Sequence, residues 1–564
     1  MGTEGFVNDL EYHLYEEART GRMTRKQLLV RGSVLGISAS AMSAILAACG
    51  TSASDKSTST PSSGGAIKRG GTLRMGVSVP AQDVDPVTMF NEGAIATANI
   101  ALEYLCYPDP SYVLTPRLAT KWAPGADAST WDFTIRQGVQ WQDGTPFTVD
   151  DVVATFDRLT DPNSKSAALS QFAGVLSAGN VERKDDQTVT FHLDRVYSDF
   201  PYLVSAFTYN SLITPKNYEI GTFTNGGIGT GAFILKSYQN GQQATFAKNP
   251  HYWAKGMPYL DGLVMKYFSD NAPQVAALQA GAIDAMVETP YQGSQALFSD
   301  ANITILENPS TQYRTLQMRT DEQPFSSQEL RQAVAYALNR PDLITGLFNG
   351  KAVLGNDHAF APTFPDSPTT DDLPQRVQDI DKAKQLVQSA TGKSSINVTL
   401  TTEDYLEVPD YATFVKEQLK AVGINVALEV QPQSTFYGTG SNQPWLVVPF
   451  GITDWAARGT PGQILDPAYT CTSVPNKDLS NSGAWNSAHW CNPQFDSLVK
   501  QFEASVDQTE RRSLAVQAAK IQQEAVPDVI AYWLAELRAI RKNVHGLAKG
   551  PTSEVDARGV WLSA

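Results

Sequence analysis

Four cysteines, at positions 49, 106, 471 and 491, carry the most distinctive chemistry in this chain of 564 residues. Cys49 closes the run Leu46-Ala47-Ala48-Cys49 at the foot of an apolar stretch, Val34 to Leu46, that follows Arg25, Lys26 and Arg31. A basic start, a short apolar segment and small residues before a cut describe an export signal, and the segment is too short to cross a bilayer as a helix. Residues 1–48 are therefore expected to be removed, leaving Cys49 first, where its thiol can be acylated; each acyl CH2 buried in lipid is worth about 0.8 kcal/mol. Cys471 and Cys491 stand twenty apart in a loop-rich stretch. Outside the cytoplasm they are expected to form a disulfide, with two buried thiols as the alternative. Neither belongs to a CxxC pair and His489 is the only imidazole nearby, so no metal site is expected there. Cys106 sits in the apolar run Ala101 to Tyr107.

A cysteine that begins a mature chain resembles the lipidated cysteine of bacterial lipoproteins; the alternative is an ordinary secreted protein with an incidental cysteine. Thr24-Arg25-Lys26-Gln27-Leu28-Leu29 is similar to a twin-arginine signal, but Lys26 stands at the second arginine, so both export routes stay open. Met23 is an alternative start.

Other chemistry is lacking in the sequence. There is no GxSxG, no HExxH and no nucleotide-binding glycine fingerprint, and six scattered histidines offer no pair. Gly392-Lys393-Ser394 is similar to the end of a P-loop, but Val387 occupies the first glycine's place and no apolar strand leads into it, so it reads as a polar turn. Carboxylates are plentiful and none is singled out as half of a glycosidase pair. No cofactor and no catalysis are expected. The net charge of −14 lies wholly beyond residue 48, because the first 48 residues hold five Lys/Arg and five Asp/Glu. Nucleic acid, which wants a basic surface, is not an expected partner.

These residues must be positioned by a large framework. The roughly 515 residues after the signal exceed one core and imply two or three domains. From Thr51 to Gly71 the chain is Ser, Thr, Gly, Pro and Lys with scarcely an apolar residue, a tether that cannot bury enough surface to fold. Gly70 to Val77 is strand-like, and Trp131 to Arg136 alternates as a half-buried strand. A turn at Asp143-Gly144-Thr145-Pro146 leads to Val152, Phe156 and Leu159 at helical spacing, with Thr148 and Asp151 as a capping box. Strands are expected at Thr188 to Leu193 and Phe233 to Tyr238, and a helix end turning into a strand at Leu278 to Asp284. Helices around Leu330–Leu338 and Val415–Val422, then Gly423 and the alternating Ile424 to Val430, give an α/β rhythm. Asn492-Pro493 suits an N-cap and first helical position.

Taken together, the segments resemble the extracytoplasmic solute-binding proteins of ABC transporters, in particular the oligopeptide- and dipeptide-binding family (family 5). The resemblance runs from about Gly70 to Leu547. Its most specific piece is Trp131 through Val152, WDFTIRQGVQWQDGTPFTVDDV. Gly229 to Phe233, Asn249 to Trp253, Gly281 to Asp284, the stretch Pro324-Phe325 to Ala337 and Asn492 to Asp496 support it. Such motifs identify a fold and need not touch ligand.

What the resemblance implies is an α/β, two-lobed periplasmic-binding-protein fold, hinged like a flytrap, with an inserted subdomain in the first lobe. The implied division is signal 1–48, tether 49–70, lobe I at 71–104, 209–312 and 535–564, inserted subdomain 105–208, and lobe II 313–534. The implied role is that of a monomeric, non-enzymatic lipoprotein that captures an oligopeptide or similar small solute and delivers it to a membrane permease. A separate ATPase must supply the energy. The alternatives are the same role for an oligosaccharide, a nickel chelate or another metabolite, or an exported hydrolase. Phe450 to Trp455 resembles the family's strand carrying an aspartate for the ligand's α-ammonium, which makes Asp454 the first site residue, with Gly451, Thr453 and Trp455 beside it. A helix-cap or turn aspartate is the alternative. Arg458 is a candidate for a ligand carboxylate, with a surface arginine the other reading. Phe90, Asn91 and Glu92 match the first ligand-facing loop and Tyr313 lies near the crossover. Trp485 and Trp490 are candidate pocket walls or loop packing.

Overall fold

The computed structural model describes residues 67–81, 84–438, 442–480 and 484–563. The expected signal, Cys49 and nearly all of the tether lie outside these residues.

One eleven-stranded sheet organises the chain. Its strands are β1 (Thr72–Ser78), β2 (Phe233–Gln239), β3 (Gln243–Lys248), β4 (Gly262–Phe268), β5 (Ala285–Met286), β6 (Ile303–Met318), β7 (Ala352–Leu354), β8 (Ile396–Asp404), β9 (Ile424–Pro432), β10 (Phe450–Trp455) and β11 (Asp528–Arg541). The order is β9-β8-β10-β6-β11-β5-β1-β4-β3-β2, with β7 against β11. Two members are much longer than the rest, β6 with 16 residues and β11 with 14, and they pair antiparallel. Ile303 to Pro309 face Arg541 to Ala535, and after a break Tyr313 faces Trp533 and Thr315 to Gln317 face Ile530 to Asp528. Pro309 has no N–H to extend the ladder, so the interruption falls where the sequence cannot pair. The freed backbone turns to side chains: Thr311 N–H donates to the Tyr112 hydroxyl (3.0 Å) and Gln312 N–H to Ser310 Oγ (3.0 Å).

On either side of that break lies a separate core. β1, β4 and their neighbours bury Leu73, Met75, Leu263 and Met265 with the helix Glu92–Ala101. β8, β9 and β10 bury Leu400, Ile424 and Ile452 with the helices Gln328–Ala337 and Val408–Lys420. Between Val408–Lys420 and β9 the chain must turn sharply. Gly423 does so at φ +86°, and a Cβ there would lie 2.1 Å from the Ser394 carbonyl oxygen. The opposite face of this second half is aromatic, with Tyr313, Trp455 and Trp533 covered by the helices Pro493–Ala504 and Gln508–Ala525.

A separate four-stranded antiparallel sheet joins Ala119–Pro124, Thr130–Ile135, Thr188–His192 and Val181–Arg183. Its second strand alternates as its sequence predicts, with Trp131, Phe133 and Ile135 buried. They pack on Val152, Phe156 and Leu159 of the helix Val149–Thr160, whose start carries the Thr148–Asp151 capping box. Cys471 and Cys491 are disulfide-bonded, with Cα atoms 4.4 Å apart, and Cys106 is free and buried. Gly392, at φ +68°, follows the helix Ile380–Thr391 as its C-cap, so Gly392-Lys393-Ser394 is a helix end rather than a phosphate-cradling start.

Candidate ligand site

The pairing of β6 with β10 sets what faces where. Tyr313 opposes Trp455, Arg314 opposes Asp454, Thr315 opposes Thr453 and Gln317 opposes Gly451. Side chains alternate across a strand, so Gly451, Thr453 and Trp455 share one face with Tyr313, and Asp454 shares the other with Arg314. The polar atoms of the first face are spent on one another. Trp455 Nε1 donates to Thr315 Oγ1 (2.9 Å), Thr453 Oγ1 to Gln317 Oε1 (2.7 Å) and Gln317 Nε2 to the Trp445 carbonyl (2.6 Å). The Tyr313 ring stacks 6.1 Å from Trp455 and tilts 4.6 Å from Trp533. Gly451, Thr453, Trp455 and Tyr313 are thus a buried wall.

Asp454 is different. It sits half-buried at the end of β10, and the Tyr437 hydroxyl donates to its Oδ1. The same hydroxyl lies 3.2 Å from Oε1 of Glu403, which is fully buried at the end of β8 and also accepts from Gln433 Nε2 (2.8 Å). Loss of water, and after it the Asp454 charge, pushes the Glu403 carboxyl up to about 8. Glu403 therefore holds a proton at neutral pH and Asp454 keeps a neutral neighbour. Arg314, whose guanidinium Asp454 also acts on, pairs with Glu407 at 3.0 Å. Among the described residues no cation forms an ion pair with Asp454 or Glu403.

Arg458 is held by its backbone: its N–H donates to Thr311 Oγ1, whose hydroxyl lies 2.8 Å from the Arg458 carbonyl. Burial pushes its guanidinium down, while Tyr313, Tyr209 and Asp454 all lie close enough to act on it. Its Nε has no partner. The next residue must be glycine, because a Cβ on Gly459 would meet the Phe207 ring at 2.5 Å.

Across the break lies a second acidic group. Glu92 opens the helix Glu92–Ala101 and accepts from Ser78 Oγ (3.2 Å); burial, then the Glu288 charge, pushes it up to about 8. Glu536 of β11 accepts from Gln312 Nε2 and pairs with Lys549 at 2.6 Å. The Tyr405 phenol is raised chiefly by burial, then by Asp454 and, more weakly, by Glu288. Asn91 spends both ends of its amide as the helix N-cap, accepting from Ala94 N–H (3.1 Å) and donating to the Val79 carbonyl (3.1 Å), while Phe90 is 59% exposed. Trp490 shares the aromatic cluster of Tyr313 and Trp455. Its ring lies edge-on to Phe495 at 4.9 Å, 5% exposed, whereas Trp485 lies 6.4 Å from Trp455.

Sequence reasoning missed Glu403, Tyr437, Glu288, Glu536 and Lys549. A signal existed for the first: β8, β9 and β10 run parallel, and crevices outside the carboxyl ends of parallel strands are where α/β sheets bind ligands. Glu403 and Asp454 both stand at such ends.

Comparison with known proteins bears on this arrangement. The model of the bacterial extracellular solute-binding proteins, family 5 (middle region), matches residues 113–476. A dipeptide-binding protein, DppE of Bacillus subtilis, is 24% identical over 505 residues, covering 84% of this chain and 89% of its own. A glutathione-binding protein, GsiB of Escherichia coli K12, is 26% identical over 411 residues, covering 70% and 76%. Among solved structures, the substrate-binding protein CtaP of Listeria monocytogenes superposes with a TM-score of 0.75 at 20% identity, covering 88% of this chain and all of the other. DppA of Helicobacter pylori, in complex with the peptide STSA, gives 0.70 at 20% identity, covering 88% and 99%. With the family's model spanning well over half of the sequence and its two-lobed fold reproduced around the crossing strands, this chain belongs to the bacterial extracellular solute-binding proteins of family 5.

Proposed function

We propose that this chain is the receptor of an ABC importer, tethered by lipid on Cys49, that captures an oligopeptide or similar small solute in the interlobe cleft and hands it to a membrane permease driven by a separate ATPase. The lobes are taken as 71–104 with 209–312 and 535–564, carrying an inserted subdomain at 105–208, and 313–534. The observation that carries the reading is Asp454, a half-buried carboxylate near the end of a strand that runs parallel to β8, held by the Tyr437 hydroxyl and without an ion-pair partner among the described residues. A peptide's α-ammonium supplies that partner through a charge-assisted hydrogen bond. An extended peptide can also pair its backbone with strand edges, which tolerates many side chains. Arg458, with a free Nε near Asp454, suits a carboxylate of the same ligand. Binding then selects the closed arrangement, because only there do both lobes touch the ligand.

The test is calorimetry of the mature chain with short peptides, paired with small-angle scattering. Heat with a shrinking scattering radius is expected. Neither signal from any peptide, against clear signals from another metabolite, transfers the receptor role to that ligand. Release of Cys49→Ser from the membrane fraction tests the anchor separately.

A further inference from the structure

Leu406 stands where neither its backbone nor its side chain is at ease. It lies two residues past the end of β8, in the turn that Val408 N–H closes on the Tyr405 carbonyl (3.0 Å), at φ +44° and 43% exposed. A left-handed conformation crowds the Cβ of an L-residue, so glycine or asparagine suits such a turn better than leucine. Among the described residues four other apolar side chains share a positive φ, and each has packing to offset it: Tyr112, Ala128 and Val526 are buried and Leu479 is half-buried. Of the five, Leu406 alone is strained and exposed at once.

Its turn is firmly based beside Asp454. The next residue, Glu407, is 1% exposed, pairs with Arg314 at 3.0 Å and accepts from the Tyr532 hydroxyl at 3.2 Å. Arg314 is the residue that opposes Asp454 in the register of β6 and β10. Glu403, three residues before Leu406, shares the Tyr437 hydroxyl with Asp454. Because β8 and β10 run parallel, with Thr402 beside Ile452, Leu406 leaves the same carboxyl-end edge of the sheet that presents Asp454. Strain kept at such a place points to use. We infer that Leu406 is a specificity-determining residue. Resting on the proposed function, which puts a peptide's α-ammonium on Asp454, it takes the apolar side chain of the first residue and so selects peptides with a large apolar group at the amino terminus. Its apolar surface leaves water only when such a group covers it; a glycine there leaves it wet.

The probes are the peptides Leu-Gly-Gly, Gly-Gly-Gly and Gly-Gly-Leu, titrated calorimetrically into the mature chain. Leu-Gly-Gly is expected to bind about tenfold tighter than the other two. Leu406→Asn suits the left-handed backbone and removes the apolar surface. It should cut that preference to about twofold, leave Gly-Gly-Gly where it was and keep or raise the urea midpoint, whereas Leu406→Met should retain the preference. A leucine that only supported the fold would instead lower the midpoint and weaken all three peptides alike on replacement. Equal affinity for the three in the wild type, a preference that survives Leu406→Asn, or a loss common to all three overturns the specificity role and leaves the receptor in place. No heat from these or from longer peptides overturns both.

Discussion

The break between β6 and β11 separates two groups of carboxyls that differ in what answers them. On one side Glu92, Glu288 and Glu536 gather round Lys549, which pairs with Glu536 at 2.6 Å and stands 3.9 Å from Glu288. On the other, Glu403 and Asp454 gather round a neutral phenol, Tyr437. Both groups hold a carboxyl pushed up to about 8 by burial, so desolvation alone does not distinguish them. The resident cation does. A cluster closed by an ion pair holds structure together, here by tying the C-terminal segment to β11, whereas Asp454, with no ion-pair partner among the described residues, can take one from outside. On the proposed reading a ligand's ammonium does for Asp454 what Lys549 does for Glu536.

The largest effect expected from that contrast is on stability. Lys549, 3% exposed, leaves Glu536 and Glu288 unanswered when replaced, so Lys549→Met should cost about 3–5 kcal/mol in urea unfolding, the usual range for breaking a buried pair from one side. Asp454→Asn should leave the ligand-free chain's midpoint almost where it was. Equal midpoints for wild type and Lys549→Met would remove the contrast.

Next is binding. Asp454→Asn replaces a charge-assisted contact worth about 1.5–3 kcal/mol, which raises Kd more than about tenfold for a peptide with a free amino terminus. N-acetylated peptides should already bind the wild type poorly. Closure with unchanged affinity in Asp454→Asn would keep the receptor and move its anchor elsewhere.

How much of this could be read in the sequence follows from range. Local patterns were legible: the alternation of Trp131 to Ile135, the Thr148–Asp151 capping box, Asn492 as an N-cap before Pro493, and the helix-Gly423-strand turn all rest on residues a few positions apart. The crossing strands were not, because Ile303–Met318 is interrupted by Pro309 and polar residues and carries no clean period of two. Asp454 came from resemblance, but its partners could not. Glu403 and Tyr437 lie 51 and 17 positions before it in sequence and meet it only through the parallel packing of β8 and β10. The Lys549 cluster joins residues from 92 to 549, and no local pattern encodes that. Gly451 and Thr453 look ligand-facing by proximity to Asp454, yet the pleat turns them into the wall.

A smaller effect separates the two carboxyl groups by pH. Glu403 has its folded pKa raised to about 8 from an ordinary value near 4.5. The folded state therefore holds a proton that the unfolded chain has released, and stability from this group, full below about 4.5, is lost as pH rises toward 8, with a slope of at most about 1.4 kcal/mol per pH unit. Glu403→Gln mimics the protonated form. Its urea midpoint relative to wild type should rise between pH 5 and pH 8, while Glu92→Gln should show the same sign independently. A variant-minus-wild-type difference that does not rise with pH at Glu403 would mean that the folded state does not hold the proton there.

The smallest expected effect is the most specific to the site. Tyr437 touches both carboxyls with a single hydroxyl, and a carboxylate has about four lone-pair directions, so the phenol orients Asp454 and leaves room for a ligand's ammonium. Tyr437→Phe removes a hydrogen bond worth about 1 kcal/mol, and peptide affinity should fall about fivefold. Because the phenol acts through Asp454, the double variant Tyr437→Phe/Asp454→Asn should bind no worse than Asp454→Asn alone, a coupling that a merely structural tyrosine would not produce. An affinity that rises in Tyr437→Phe would show instead that the hydroxyl occupies the ammonium's place beside Asp454. In that case Tyr437, supplying a neutral stand-in for the missing cation, would be what a ligand must displace, and the two carboxyl groups would differ only in whether their partner can leave.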